Sequence, residues 1–520
     1  MLKADYYIAP TEIDLMIFEK LVAQNHHLRL VKEAIDFEPM RQLVAECYSP
    51  HQGRGAEDPV RMLKLHFLEF HYDLSDRDVI REAQVNVAFR FFLDLSLDSP
   101  LPVASLLSQF RTRLGEERFT KVFNEVLRQA REKGLVKDRL RLKDATHVIA
   151  DIAIPSTIQL VAQMRTRLLA AARPLAADQV DAHAAQAELI RQTTADLKNE
   201  QRLLARVGHL REIVCWADDQ ARRLEQAAAN NAPLLSQAEA EEFQAALELA
   251  HKVLKDREKD APDKLVSLVD PEARTGMHGG YFTGYQVDLS LDADSELICA
   301  IETLAGNGDE GANARTLIEA EETAHGNDIE SLSQDSAGFR GDLLAGLTED
   351  EQGPQLEVFV PPYYGPHYSP DLYRAEDFQL NEAGDELTCP GGKTTRNRTR
   401  ARLDQGWQYR FRKSDCQNCP LRANCLKPEI ENGRYVIKHD YENQYIKARA
   451  KAETEEYKKV RKEHPAVERK LSEMMRRHGG RRVRYRTRRR VKIQYVITAV
   501  VVNFKRIVKL LNTPLHSQPA

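Results

Sequence analysis

The chain has 520 residues, which favours roughly three or four structural units, since domains usually run to about 100–200 residues. Apolar residues make up 42% and charged residues 30%, and this composition excludes a disordered or fibrous protein. The formal net charge is −4, but residues 476–490 hold nine arginines and no acid, so the other 505 residues carry −13. A basic segment beside an acidic body favours a polyanion-binding surface over a solvated helix face, because like charges this dense repel without a partner.

Residues 1–135 are predicted to be helical. Ser75, followed by Asp78 three residues later, is a capping box that starts one helix, and a second helical run covers 105–132. The first residues contain acids and no signal-peptide core, and seven cysteines are an odd and sparse set. We therefore expect a cytoplasmic protein.

The first strand pattern lies at 139–154, where Leu142, Asp144 and Thr146 share one face. Residues 156–265 are rich in Ala, Leu, Arg, Glu and Gln, which predicts a long helical hairpin inserted as a separate subdomain. Strands are then predicted at 281–291, 296–304, 329–335 and 356–360, with helices at 311–324 and 340–347. Strands followed by alternating helices and strands are typical of a mixed α/β sheet with helices on its faces.

The C-terminal third begins with a loop-rich, cysteine-rich region at 361–440. A helix is predicted at 443–478, followed by the arginines and an amphipathic helix at 491–511. The most apolar stretch, 493–504, is far shorter than the ~20 residues of a membrane span, so we expect no membrane association.

Four cysteines cluster in this region: Cys389, Cys416, Cys419 and Cys425. Clustered thiolates on turn-rich backbone predict a small, zinc-ribbon-like structural site of four cysteines, with reduced cysteines or a redox pair as the alternatives. The remaining cysteines, Cys47, Cys215 and Cys299, are expected in the core.

Three acids stand out by position. Phosphoryl transfer with two metal ions needs carboxylates that converge on one point. Asp144 lies mid-strand on an apolar face, where an unpaired carboxylate is costly, and Asp335 ends a strand, where ligands collect in α/β sheets. Glu468 precedes the arginines, with Arg461 two helical turns before it on nearly the same face.

Several strings resemble one known family. They are DPVRMLKLHFLEFHYDLSDRDVIREAQVNVAFRFFLDL, KDATHVIADIAI, GYFTGYQVDLSLD, QDSAGF, CQNCPLRANC, HPAVERKLSEMMRRHGGRRVRYRTRRR and QYVITAVVVNFKRI. In this order, the chain resembles DDE transposases of bacterial insertion sequences, in the subgroup with a helical insertion and a cysteine-rich segment before the glutamate.

The resemblance implies an RNase H-like sheet whose two aspartates and helical glutamate bind two Mg²⁺ (or Mn²⁺) ions. The first acid is Asp144, in D-A-T-H, and the glutamate is Glu468, in V-E-R. For the second acid Asp335 fits best, although Q-D-S-A-G-F departs from the expected D-x-G-Y. Asp309 is the runner-up, and Asp270 and Asp288 are less favoured.

The family also implies a division of the chain. The chain would comprise a helical DNA-binding domain (1–135), a catalytic core (136–155 and 266–362), a helical insertion (156–265), a zinc module (363–440) and a C-terminal part that completes the core (441–520). The expected activity is cleavage at transposon ends and transfer of the 3′-OH into target double-stranded DNA by a homodimer. A nuclease of the same fold and an inactive DNA-binding derivative are the alternatives. The expected DNA-binding arginines are Arg111, Arg113, Arg461, Arg476, Arg477, Arg481, Arg482, Arg484, Arg486, Arg488, Arg489 and Arg490.

Overall fold

A computed structural model describes residues 10–49, 55–230, 232–258, 261, 263–363, 371–401 and 405–513. The helical character predicted for the N-terminal region is confirmed in its described part. Its helices are α1 (Glu12–Leu21), α2 (His27–Ala34), α3 (Glu38–Ala45), α4 (Pro59–His71), α5 (Asp76–Val85), α6 (Val87–Phe92) and α7 (Ser105–Glu132). Ser75 caps α5 by accepting a hydrogen bond from the Asp78 amide at 3.2 Å. Helix α7 is kinked at Gly115, whose φ of +62° favours glycine.

A curled mixed sheet forms the centre of the molecule and confirms the α/β class. Its strands are β1 (Arg141–Ile149), β2 (Arg274–Met277), β3 (Tyr281–Asp292), β4 (Ile298–Ala305), β5 (Ser331–Ser333) and β6 (Glu357–Phe359). Strand β3 pairs antiparallel with β1, β2 and β4, whereas β1, β5 and β6 run parallel in that order. Helices α12 (Asn313–His325) and α13 (Gly341–Thr348) connect the later strands.

The inserted segment forms four helices, so the predicted hairpin is wrong in helix number. They are α8 (Thr157–Ala172), α9 (Ala177–Thr193), α10 (Asn199–Ala229) and α11 (Gln237–Lys255). The segment has its own apolar core, built around residues such as Leu168, Leu210 and Phe243. Cys215 lies on the solvent face of α10 and is exposed, which corrects its assignment to the core, whereas Cys299 in β4 is buried as expected.

The cysteine-rich region contains two small three-stranded sheets. The first joins β7 (Gln379–Leu380), β8 (Leu387–Thr388) and β9 (Thr394–Thr395), and the second joins β10 (Arg398–Arg400), β11 (Trp407–Arg410) and β12 (Tyr435–Lys438). A short helix, α14 (Lys413–Gln417), follows β11. Phe378, Leu387, Tyr409 and Phe411 form a separate buried cluster between these elements.

The C-terminal part contains α15 (Glu442–Ala452), α16 (Glu455–Glu463), α17 (Pro465–Arg477) and α18 (Arg488–Asn512). Three helices therefore replace the single one predicted at 443–478. The breaks have local causes: Thr454 caps α16, and Pro465 lacks the amide hydrogen needed to continue that helix but suits the first position of α17. Helix α18 packs against α4, α7 and β4 in the main core. Within the described ranges, no helix has the length and apolar character needed to cross a membrane.

Candidate active site

Asp144 and Asp335 lie at equivalent places on neighbouring parallel strands. In the β1–β5 pair, Arg141 is opposite Leu332 and Leu142 is opposite Ser333, where the pairing ends. Each aspartate lies two residues after the last residue of its strand that pairs with the other strand. The two carboxyl groups therefore occupy the same edge of the sheet, just beyond the point where β1 and β5 separate.

The electrostatics show that these acids share one environment. Burial, together with the nearby Asp335 carboxylate, raises the pKa of Asp144 to about 7, although the Ala145 amide donates to Asp144 Oδ1 at 2.8 Å. Burial and the Asp335 charge also raise the pKa of Glu310. Three carboxyl groups thus repel one another in a poorly solvated place, an arrangement that a cation would stabilise.

Glu310 is a member of this cluster that the sequence did not identify. It lies in the loop between β4 and α12, and Lys143 donates a hydrogen bond to its backbone carbonyl at 2.6 Å. The same loop contains Asp309, the runner-up for the second acid. No periodic pattern marks a loop residue of this kind, so only the tertiary fold reveals its position.

The other candidates for the second catalytic acid interact with neighbouring groups of the protein. Asp309 is exposed, pairs with Arg340 and accepts a hydrogen bond from the Ala312 amide at 3.1 Å. Asp270 is fully buried and accepts a hydrogen bond from the Tyr285 hydroxyl at 2.7 Å.

Asp288 is also fully buried, 3.1 Å from the Lys143 ammonium and 2.8 Å from the Asn313 amide nitrogen. Burial raises its pKa to about 6. Asp335 is therefore the candidate whose placement matches that of Asp144 on the neighbouring strand.

Glu468 is exposed on α17, one helical turn after His464. His464 Nδ1 lies 3.1 Å from the Ser333 hydroxyl, and Arg461 donates to the Gln334 carbonyl at 2.9 Å. These contacts attach the junction of α16 and α17 to the end of β5, next to Asp335. Arg461 is thus on α16 rather than on the helix of Glu468.

Helix α17 then runs along β1, against which it packs. It starts level with Leu142, the β1 residue that is paired with Ser333 of β5. Shortly after its end, Arg482 and Ile149 form an isolated parallel β-bridge. Glu468 and Asp144 thus lie on two elements that pack against each other.

The three predicted acids do not, however, touch. Across the described ranges, no hydrogen bond or ion pair joins Glu468 to Asp144 or Asp335, and no three His, Cys, Asp or Glu side chains are gathered closely enough to hold a metal ion. The oxygen-rich donor set of Asp144 and Asp335 nevertheless suits Mg²⁺.

The arginine segment 476–490 flanks the C-terminal end of β1, five residues beyond Asp144. The Ile149 amide donates to the Arg481 carbonyl at 2.9 Å, and the Val483 amide donates to the Ile149 carbonyl at 3.0 Å. Most of the predicted DNA-binding side chains are exposed: Arg113, Arg476, Arg477, Arg481, Arg482, Arg486, Arg488, Arg489 and Arg490.

Besides Arg461, which donates to the Gln334 carbonyl, two of the predicted DNA-binding arginines are engaged inside the protein. Arg111 is buried and donates two hydrogen bonds to Asp76, at 2.6 and 2.8 Å. Arg484 pairs with Asp73 and Glu69 and donates to the Leu74 carbonyl at 2.7 Å. Both guanidinium groups hold the N-terminal helices in place, which leaves little of either for a phosphate.

The four cysteines of the C-terminal region line one common cavity: Cys389, Cys416, Cys419 and Cys425. The Lys393 amide points at Cys389 Sγ at 3.3 Å, and the Arg434 amide points at Cys416 Sγ at 3.4 Å. The thiol groups are brought together as predicted, but they are not close enough to one another to form a metal-binding group.

Two family models match the chain. Residues 16–113 match the family described as "Transposase domain (DUF772)", and residues 388–508 match the family described as "Transposase DDE domain". The second match includes Glu468, the arginine segment and the four clustered cysteines, whereas Asp144 and Asp335 lie outside both. No curated protein and no solved structure is significantly similar to the chain.

The two matches agree with each other and follow the order of the strings found in the sequence. A DDE domain is a metal-dependent nucleotidyl-transfer unit, and its substrate is DNA. Together the two matches indicate a DNA transposase and support the DDE type found in insertion sequences.

Proposed function

We propose that the chain cleaves DNA at the ends of its element and joins the released 3′-OH to target DNA, using Asp144, Asp335 and Glu468. The observation that carries this proposal is the placement of Asp144 and Asp335 on adjacent parallel strands, each two residues beyond the last pair. The strand order supports an RNase H-like sheet, because the antiparallel strands β4, β3 and β1 are followed by the parallel strands β5 and β6, with β2 as an additional strand beside β3.

The three proposed acids would hold two Mg²⁺ ions, which, when bound, stabilise the charge on the attacking and leaving oxygens of the phosphodiester. The protein itself positions the acids that would hold the ions. Arg461 and His464 attach α17 to β5, so that Glu468 is presented beside the strand that carries Asp144.

The exposed arginines of 476–490 would contact phosphates, which gives affinity that depends on salt and little on sequence. Residues 481–483 flank Ile149, five residues after Asp144 on β1, so a DNA backbone bound there would run toward the acids. The helices of 1–135 would recognise the element ends, and a homodimer would bridge two ends.

The cysteine-rich region at 363–440 would be a zinc module that precedes the glutamate helix. Its support is the shared cavity of the four cysteines and the two backbone amides directed at sulfur, since such amides stabilise thiolates. Small side-chain movements would have to complete a tetrahedral site, with Zn–S distances of about 2.3 Å.

A cleavage and joining assay tests the proposed function. Purified chain is mixed with labelled duplex carrying the element's terminal sequence, with a supercoiled plasmid, and with Mg²⁺ or Mn²⁺. We expect cleavage at the end, and joining of a pre-cleaved end to the plasmid. Cleavage without joining would reveal a nuclease, and binding without either reaction would reveal a DNA-binding derivative.

Substitutions then assign the residues. Asp144→Asn and Glu468→Gln should abolish both reactions while leaving DNA binding nearly unchanged, and Asp309→Asn, on an exposed neighbouring acid, should remain active. Loss of DNA binding in the first two variants would make Asp144 and Glu468 structural residues instead.

A further inference from the structure

The helical insertion contains two buried arginines that no acid neutralises. Arg165 on α8 is 5% exposed, and Arg206 on α10 is 7% exposed. In the part of the chain that the structure describes, neither guanidinium group forms an ion pair with a carboxylate. Burial and the charges of neighbouring arginines lower the pKa of both side chains. Because buried charges in proteins are normally paired, these two cations favour a site for an anion from outside the chain.

Both arginines use the same nitrogen atom for contacts within the insertion. Arg165 Nη1 donates to His209 Nδ1 at 3.1 Å, and Arg206 Nη1 donates to the Ile158 carbonyl at 3.3 Å. Since an arginine can only donate, His209 accepts through Nδ1 and is neutral, in agreement with its pKa, which burial and Arg165 lower to about 4. These contacts join α8 to α10 and orient the two guanidinium groups.

The opposite edge of each guanidinium group, formed by Nε and Nη2, has no partner among the described residues. The Nε atoms of Arg165 and Arg206 are buried, whereas the Nη2 atoms beside them are reached by solvent. This edge presents two parallel N–H groups, with which a guanidinium binds two oxygens of a carboxylate or a phosphate. Arg191 on α9 uses the same edge, since its Nε and Nη2 donate to the two carboxylate oxygens of Glu188 at 2.7 and 2.6 Å.

Two guanidinium edges in a buried place suit a small dianion. A carboxylate carries one negative charge, whereas a phosphate group that is not part of a diester carries up to two and offers oxygens to both edges. A DNA duplex is too wide to bring its backbone to side chains that are this deeply buried. The exposed arginines of 476–490 therefore suit a duplex, and Arg165 and Arg206 suit a single phosphate group.

We propose that Arg165 and Arg206 bind a phosphate group between α8 and α10, with His209 as the positioning residue for Arg165. Inorganic phosphate and the 5′-phosphate at the end of a DNA strand share this chemistry. The bound group would neutralise the buried positive charge and strengthen the contact between the two helices. The inference is independent of the proposed function, because it involves none of the three acids.

The test measures the binding of radiolabelled inorganic phosphate to the full chain by equilibrium dialysis at constant ionic strength. Arg165→Gln and Arg206→Gln should each weaken binding by about 10- to 100-fold, as expected for the loss of one charge-assisted contact. Arg211→Gln removes the same charge from an exposed position of α10 and should bind like the wild type. Equal binding by the wild type and both buried variants would overturn the proposal, and so would an equal loss in Arg211→Gln.

Melting temperatures distinguish phosphate binding from a purely structural role. The wild type should melt at a higher temperature in phosphate than in chloride of the same ionic strength, and Arg165→Gln should melt at the same temperature in both. In chloride the variant should be as stable as the wild type, because it removes a buried unpaired charge. A variant that is destabilised equally in both salts would make Arg165 structural and contradict the proposal.

A competition experiment identifies the source of the phosphate group. Displacement of the labelled phosphate by a 5′-phosphorylated oligonucleotide, but not by the same oligonucleotide without the phosphate, would support the end of a DNA strand. Displacement by neither would support free phosphate as the ligand.

Discussion

His464 gives a quantitative test of how α17 is attached beside the acids. The residue is 2% exposed, and its Nδ1 lies 3.1 Å from the Ser333 hydroxyl at the end of β5. Burial and the nearby Arg461 charge lower its pKa from 6.5 to about 4. The folded protein therefore holds a neutral imidazole at this position.

The direction of the pH effect follows from that shift. Between pH 6.5 and about 4 the unfolded chain binds a proton at His464 that the folded chain does not. The stability contributed by the neutral ring is complete above pH 6.5 and is lost as the pH falls toward 4. At pH 5 the loss is about 2 kcal/mol, since each pH unit is worth about 1.4 kcal/mol.

The assay compares the melting temperatures of wild type and His464→Asn at pH 8 and pH 5, without added metal. Asn cannot titrate, so the melting temperature of the wild type should fall by about 3–6 °C more than that of the variant between pH 8 and pH 5. His251→Asn, on an exposed histidine of the insertion, should follow the wild type. Equal losses in wild type and His464→Asn would mean that the neutral His464 ring does not stabilise the fold.

Three further predictions concern other parts of the molecule. Arg486→Ala should weaken DNA binding and reduce the salt slope of log K by about 1, whereas Arg484→Ala should lower the melting temperature and leave that slope unchanged. Arg141→Met should destabilise the fold by about 3–5 kcal/mol, as calorimetry would show, because it leaves the buried Asp292 without an ion pair and removes one of the two arginines that pair with Glu321. Purified chain should contain about one zinc ion per molecule by elemental analysis, and Cys416→Ser should lose it. A zinc-free, fully folded wild type would count against the module.

Periodicity predicted much of the fold because the long elements have one clear apolar face. The helix predicted at 105–132 is α7, and the strand predicted at 281–291 differs from β3 by one residue. Strand β2 was missed, since R-T-G-M is too short to alternate and is defined by its pairing with β3.

The candidate site was predictable only where strand position constrains an acid. Asp144 and Asp335 stand out because a carboxyl group inside or at the end of a buried strand is costly. The role of Glu310 depends on how a loop returns to the sheet, and the burial of Arg111 depends on Asp76, 35 residues away in sequence. Neither the position of Glu310 nor the burial of Arg111 produces a pattern in the neighbouring sequence.

Asp144, Asp335 and Glu468 are proposed to bind metal at one site. Iron-directed cleavage of the chain tests it most directly: Fe²⁺ replaces Mg²⁺, and the hydroxyl radicals made with ascorbate and peroxide cut the backbone near the bound ion. We expect cuts near residues 144, 335 and 468 that excess Mg²⁺ suppresses and that Asp144→Asn removes. Cuts near 144, 335 and 310 with none near 468 would contradict it.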